Sequence, residues 1–428
     1  MTFEGKNFGE IPETEELKEI ETEEERETIE RMENLSLGNQ DKMNLILTFL
    51  GEKPTSEVEI DYDSKIPFIE LEDALAKKEN LEKNLSDFGL KFKILERERI
   101  DKDGFEHKNF QFLIGKDEEK IKQLEGAILD EDVKKQGILF GYPGTAAEAF
   151  SKGIKELFIH EDWWQTLSEK EKGDISKEGI LNFKNFQFSK KHWREELEFV
   201  RRWQGVIKEK APKLFQEITK DKPWVMMTEE ERNEWEEKAA EEELKKIRER
   251  VDKMADALGK PIDEGIKEIV TFLNAFDMRT SGSCEGHFNE KGEKIKYFDG
   301  EKVTEETLKE PRAKPPWVDI ESRLMEIKKW REDEKIKERV KKQNLFYQKR
   351  MIDLLEIFYK KRNVPFDQRL HLSGIGFSGA FRLENQGAGV LELEKKKEKL
   401  ARYQEEIRNF TKFLRKNYQN YLFRRLRI

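Results

Sequence analysis

The sequence predicts an α+β fold, predominantly helical, with long charged helices and small antiparallel sheets. Three observations predict it. Apolar residues recur every three or four positions over long stretches, as in Trp193, Leu197, Val200, Trp203 and Ile207, the period of a helix face. Shorter runs such as Leu90-Lys91-Phe92-Lys93-Ile94-Leu95 alternate apolar with polar, the period of a strand. Finally, 29 Phe and 8 Trp accompany a 40% charged fraction, so large apolar groups are available for cores beneath a highly charged surface.

A length of 428 residues suits two or three domains. Residues 1–38 are acidic and poor in apolar residues, as in Glu13-Thr14-Glu15-Glu16 and Glu23-Glu24-Glu25. They are expected to form a flexible N-terminal arm. Residues 40–185 form the first expected domain, small and α+β. It has helices over 43–50 and 68–88, strands at 90–95 and 110–114 joined across Asp101-Lys102-Asp103-Gly104, and a helix over 116–129. The run Gly141-Tyr142-Pro143-Gly144-Thr145-Ala146 reads as a turn, then a helix capped by Thr145 with Glu148 three residues on. Tyr142 and Glu148 are placed to line a cleft.

Residues 187–260 read as helical, with a long charged helix opened by Thr228-Glu229-Glu230-Glu231 and ended by Gly259-Lys260-Pro261. Residues 261–428 form a last α+β domain. A helix over 262–273 leads into a loop around Cys284, with a short strand at 294–298. A long helix over 320–362, strands at 369–372 and 380–383, and a C-terminal helix over 391–422 complete it.

Net charge is −9 and the calculated pI is 5.6, so no global field attracts nucleic acid. The single cysteine excludes an internal disulfide. The opening Met-Thr-Phe-Glu-Gly-Lys does not resemble a secretory or transit peptide. No run of eighteen apolar residues suggests a membrane span. A cytoplasmic setting is the expectation.

The run Thr280-Ser281-Gly282-Ser283-Cys284-Glu285-Gly286-His287 gathers a thiol, a carboxylate, an imidazole and three hydroxyls. A thiolate is a nucleophile or soft metal ligand, and an imidazole can deprotonate it. Cys284, His287 and Glu285 are therefore the candidate catalytic residues. Ser281, Ser283, Trp317, Asp319 and Arg382 are candidates for ligand binding. Cys284 and His287 are also candidate ligands of a divalent metal such as zinc, with Glu285, Asp319 or His371 supplying further donors. Each run has a structural reading as well. Cys284 suits a tight turn as a small buried hydrophobe, and Pro315-Pro316-Trp317-Val318-Asp319 suits the start of the next helix. His107, His160 and His192 have no ligand-spaced partner.

The order Ser-Cys-Glu-Gly-His, then Pro-Trp-Val, then a long helix and Arg-Leu…Phe-Arg-Leu resembles a family of uncharacterised bacterial proteins. The resemblance covers about residues 260–428 and implies no activity. The Gly-Tyr-Pro-Gly-Thr-Ala-Ala-Glu-Ala-Phe run resembles a motif of other hypothetical proteins. Ser283, Cys284 and Gly286 also match the Ser-Cys-Ser-Gly-Arg loop of the wybutosine-synthesis tRNA methyltransferase family, whereas Glu285 and His287 depart from it.

Two functions are compatible with these features. One is a ligand- or metal-binding protein, or an enzyme, with its site at the Cys284 run. The other is a non-catalytic interaction or scaffold protein. It would self-associate through its long helices, or contact nucleic acid through the basic aromatic segment from Lys412, though docking of that segment by its aromatic face is the favoured reading.

Overall fold

A computed structural model describes residues 22–66, 70–158, 162–220, 222–255, 259–298 and 303–426. As predicted, helices predominate and the sheets are small. The chain divides into two compact units. One comprises the described residues within Met1–Glu59, Asn80–Leu95 and Gln111–Met227. The other comprises those within Ile60–Glu79, Glu96–Phe110 and Thr228–Ile428.

In chain order the elements begin with α1 (Glu23–Glu33), α2 (Asn39–Phe49), β1 (Thr55–Asp63), α3 (Leu71–Asp87), β2 (Lys91–Ile100) and β3 (Glu106–Gly115). Next come α4 (Glu118–Leu129), α5 (Val133–Leu139), α6 (Gly144–Lys152), α7 (Asp162–Thr166), α8 (Glu169–Glu178), α9 (Trp193–Lys210) and α10 (Pro212–Thr219). Strands β1, β3 and β2 form a sheet in that order.

The expected flexible arm needs correction. Residues 1–21 lie outside the described residues, but Thr22 accepts from the Glu25 N–H and opens α1, whose Ile29 and Met32 are buried. Two apolar residues one turn apart are enough to dock the helix. Residues 193–219, expected in a separate helical region, pack through α9 and α10 against α2. Thr145 does not cap α6. Pro143 holds the cap position without a side-chain bond, and Glu148 instead pairs with Lys134 and Lys152.

The second unit contains α11 (Glu229–Val251), opened by the capping box of Thr228 with Glu231, and α12 (Glu264–Ala275). There follow β4 (Thr280–Cys284), β5 (His287–Asn289), β6 (Lys294–Phe298), β7 (Val303–Thr307), β8 (Arg312–Lys314) and β9 (Trp317–Ile320). The last elements are α13 (Glu334–Tyr359), β10 (Leu370–Ile375), β11 (Ala380–Asn385), α14 (Gly387–Val390) and α15 (Leu393–Leu426).

A four-stranded sheet runs β10-β11-β9-β4, and β5-β8 and β6-β7 pair separately. One apolar cluster joins Ile269 and Phe272 of α12, Met351 of α13, Val318 and Leu383 of the sheet, and Phe410, Leu414 and Tyr418 of α15. The aromatic face of α15 is thus docked within its own unit. The side chains of Arg424, Arg425 and Arg427 lie outside the described residues. Among the described residues, no helix is long and apolar enough to cross a membrane.

Candidate functional site

The run around Cys284 is strand, not loop. Thr280–Cys284 form β4, and only Glu285 and Gly286 separate it from β5. Trp317–Ile320 is also a strand rather than the start of a helix, and α13 begins at Glu334, where Asp333 accepts from the Lys335 and Ile336 N–H groups. The residues Trp317-Val318-Asp319-Ile320 explain this. Val318 and Ile320 are buried and alternate with two half-buried residues, a period of two that a strand satisfies and a helix does not.

Register then decides which candidates meet. Cys284 faces Trp317 across β4 and β9, and Gly282 faces Asp319. Asp319 in turn faces Arg382, and Trp317 faces Glu384, across β9 and β11. His371 and Ser373 complete the rows on β10. The intervening positions Val318, Leu383 and Phe381 lie in the core. One face of the sheet is therefore mainly apolar, with Ser283 opposite Val318 on it, and the other carries Cys284, Trp317, Asp319, Arg382 and His371.

On that polar face Cys284 Sγ lies 3.5 Å from His287 Nδ1. The Gly286 N–H donates to Sγ at 3.4 Å. Gly286 has φ +84°, and a Cβ there would sit 2.7 Å from Pro316 N. Only glycine tolerates both conditions. Gln404 of α15 donates to the Glu285 and Gly286 carbonyls at 3.2 and 3.0 Å, which pins the turn from a distant element.

Cys284 is only 7% exposed. Burial pushes its thiol above the ordinary value, against the Gly286 N–H, which stabilises the thiolate. Burial, followed by the positive charge of Lys314, lowers the His287 imidazole. Both shifts disfavour the charged form, so the pair is a neutral thiol beside a neutral imidazole at neutral pH.

The other candidates divide. Trp317 and Arg382 stack, with the guanidinium carbon 3.8 Å from the ring centroid. Arg382 also donates to both carboxylate oxygens of Asp319, at 2.7 and 2.9 Å, and this pairing holds its own pKa up. Ser281 hydrogen-bonds Glu321, whose carboxyl is raised by burial. Ser281 and Ser283 line a cavity of about 130 Å³ with Lys260, Ile262 and Asp263.

Glu285 turns to the start of α12, where its Oε2 accepts from the Gly265 N–H at 3.0 Å, a favourable place for a carboxylate. His371 lies 3.9 Å from Glu384. It stands three strands from Cys284, roughly 14 Å across a sheet, so it cannot share a ligand sphere with the thiol. Among the described residues no three His, Cys, Asp or Glu side chains are placed to hold a metal ion. Cys284 and His287 alone do not make a zinc site, because its remaining donors are not at hand. His107 pairs with Asp101 and Asp63 and His192 with Glu195. His160 lies outside the described residues.

Sequence reasoning missed Gln404 and Glu321. Gln404 is 118 residues from the carbonyl of Gly286, and no local pattern marks such a contact. Glu321 directly follows the Pro-Trp-Val-Asp-Ile run, and only the strand pairing brings it to Ser281.

No protein-family profile, no curated protein and no solved structure matches this chain.

Proposed function

We propose that the chain binds a small ligand at the polar face of the four-stranded sheet, where Cys284 acts as nucleophile and His287 as its base. The observation that carries this reading is the 3.5 Å contact between Sγ and Nδ1, within reach for proton transfer between a nucleophile and its base. As sulfur adds to the carbon of a carbonyl or activated double bond of the ligand, the π pair of that bond moves to its other atom and the thiol proton passes to Nδ1. The Gly286 N–H and the positive Arg382 offset charge growing on sulfur, and Asp263, Glu285 and Glu293 favour the imidazolium that results. The Trp317–Arg382 stack, held by Asp319, supplies the adjoining wall.

Glu285 thus acts through its field and not by contact with the thiol. Cys284 and His287 have no third His, Cys, Asp or Glu among the described residues placed to complete a zinc site with them. This chemistry needs a reduced thiol, and on that ground we assign the protein to the cytoplasm.

Alkylation by iodoacetamide, followed by intact mass, tests the reading. The wild type is expected to react slowly at pH 7, with a rate that climbs through and above the ordinary thiol range. His287→Ala is expected to lower the neutral-pH rate by about tenfold or more, the scale of a positioned base. Cys284→Ser should remove the reaction. Equal rates for wild type and His287→Ala would exclude the base role.

A further inference from the structure

The first unit contains a buried amine that none of the readings above uses. Lys53 follows α2 and is 2% exposed. Its Nζ donates to Asn44 Oδ1 at 2.8 Å and lies 5.2 and 5.1 Å from the ring centroids of Tyr142 and Trp203. Among the described residues no carboxylate is within ion-pairing distance of it. A lysine in such a place is rare, because burial without a counter-charge disfavours the ammonium. Its pKa is lowered to about 7 for that reason.

The Gly-Tyr-Pro-Gly run builds this environment. Gly141 has φ +74°, and a Cβ there would lie 3.1 Å from Pro54 Cδ and 3.3 Å from the Lys53 Cα. The close approach lays Tyr142 against the amine. Phe140 and Tyr142 also line both of two adjoining cavities. One, of about 320 Å³, is lined by Lys53, Ser56, Asn44, Asp41, Glu57 and Glu59. The other, of about 380 Å³, is walled by Val133, Phe150 and Phe186 together with the polar Gln136, Lys184 and Gln187. That is the size of a small-molecule pocket.

A second observation points to a ligand. Ser56 is fully buried and lines the polar cavity, yet its Oγ has no hydrogen-bond partner among the described residues. Asn185, which lines the larger cavity, likewise has an Oδ1 with no partner among the described residues. Buried polar atoms left unpaired are costly, and a ligand that satisfied them would recover that cost.

We propose that Lys53 is the amine of a second, independent site that takes an aldehyde or ketone carrying an apolar or aromatic arm. The arm occupies the larger cavity, and the carbonyl lies beside Nζ and Ser56. The Nζ lone pair adds to the carbonyl carbon, and the proton lost from nitrogen reaches the carbonyl oxygen to give a carbinolamine. Expulsion of that hydroxyl as water, with a second proton from nitrogen, leaves an imine. Water is the sole by-product, and no oxidant or reductant is consumed. Asp41 lines the same cavity, and its carboxylate takes the proton that nitrogen loses and passes it to the departing hydroxyl. Lys184, which lines the larger cavity and whose pKa burial lowers to about 8, is a rival amine.

Trapping with cyanoborohydride tests this on the full chain. Wild-type protein at pH 7 is treated with 3-phenylpropanal or, separately, with glycolaldehyde, and the labelled lysines are mapped by peptide mass. The expected result is initial labelling of Lys53 by phenylpropanal at least tenfold faster than of any other lysine, with that preference lost for glycolaldehyde. Lys53→Met, checked for an unchanged circular-dichroism spectrum, should lose the fast phase. Labelling spread evenly over surface lysines, or led by Lys184, would overturn the assignment. So would a fast phase that survives in Lys53→Met.

Discussion

Replacing Lys53 by Met isolates what burial does to this amine. The folded protein holds the Lys53 pKa at about 7 against an ordinary 10.5. At about 1.4 kcal/mol per pH unit, protonation of the buried amine costs the fold about 5 kcal/mol at low pH. The sign follows from proton counting. Between pH 7 and 10.5 the unfolded chain carries the proton and the folded chain does not, so stability rises with pH. This contribution is complete above 10.5 and is lost as pH falls through 7. From pH 7 to pH 9 the wild type should therefore gain about 2 kcal/mol that Lys53→Met does not. Met keeps the apolar stem, and Asn44 Oδ1 keeps its bond from Asn185 Nδ2 at 2.6 Å, so the variant leaves that acceptor satisfied. Urea unfolding of both proteins at pH 7, 8 and 9 gives the difference directly. Profiles that run parallel within about 0.5 kcal/mol, the usual limit of additivity, would refute an uncompensated buried amine.

Two further substitutions probe the second unit. Gly286→Ala places a Cβ 2.7 Å from Pro316 N at φ +84°. Positive φ costs about 1–2 kcal/mol and overpacking about 1–3 kcal/mol more, so a denaturation midpoint close to wild type would contradict the geometry. Arg382→Lys keeps the charge but loses the two-pronged bond to Asp319 and the planar stack on Trp317. A loss of about 1–2 kcal/mol is expected, read by urea unfolding together with a change in tryptophan emission.

Much of the architecture was legible locally. The helix over residues 262–273 showed as Ile266, Ile269, Val270 and Leu273, and all four are buried in α12. The two strands expected at 369–372 and 380–383 appear as β10 and β11. The capping sequence at Thr228 starts α11 as expected. Errors arose where a short run suited two periods. Trp317–Ile320 fits the opening of a helix by its prolines and a strand by its alternation, and pairing with β4 and β11 selects the strand. Val58, Ile60 and Tyr62 alternate in β1 and are buried, a signal that was present and went unread.

The sites show the same division. Sequence proximity alone put Cys284 and His287 within reach of each other, because three residues across a glycine turn can face one point. It also marked Gly141-Tyr142 as a turn. What proximity could not convey was the setting of either group. The neutral state of the thiol and imidazole depends on burial and on Lys314, and the turn that joins them is held by Gln404 from the far end of the chain.

The chain by itself determined the helical character, the sheet-forming segments near the C-terminus and the crowding of reactive groups at Cys284, since all of these follow from residues adjacent along the backbone. Tertiary structure alone decided that Lys53 lies by two aromatic rings with no carboxylate among the described residues within ion-pairing distance, and that Glu285 turns to a helix start. Desolvation and through-space charge depend on what packs nearby, and neighbours in space are not neighbours in sequence.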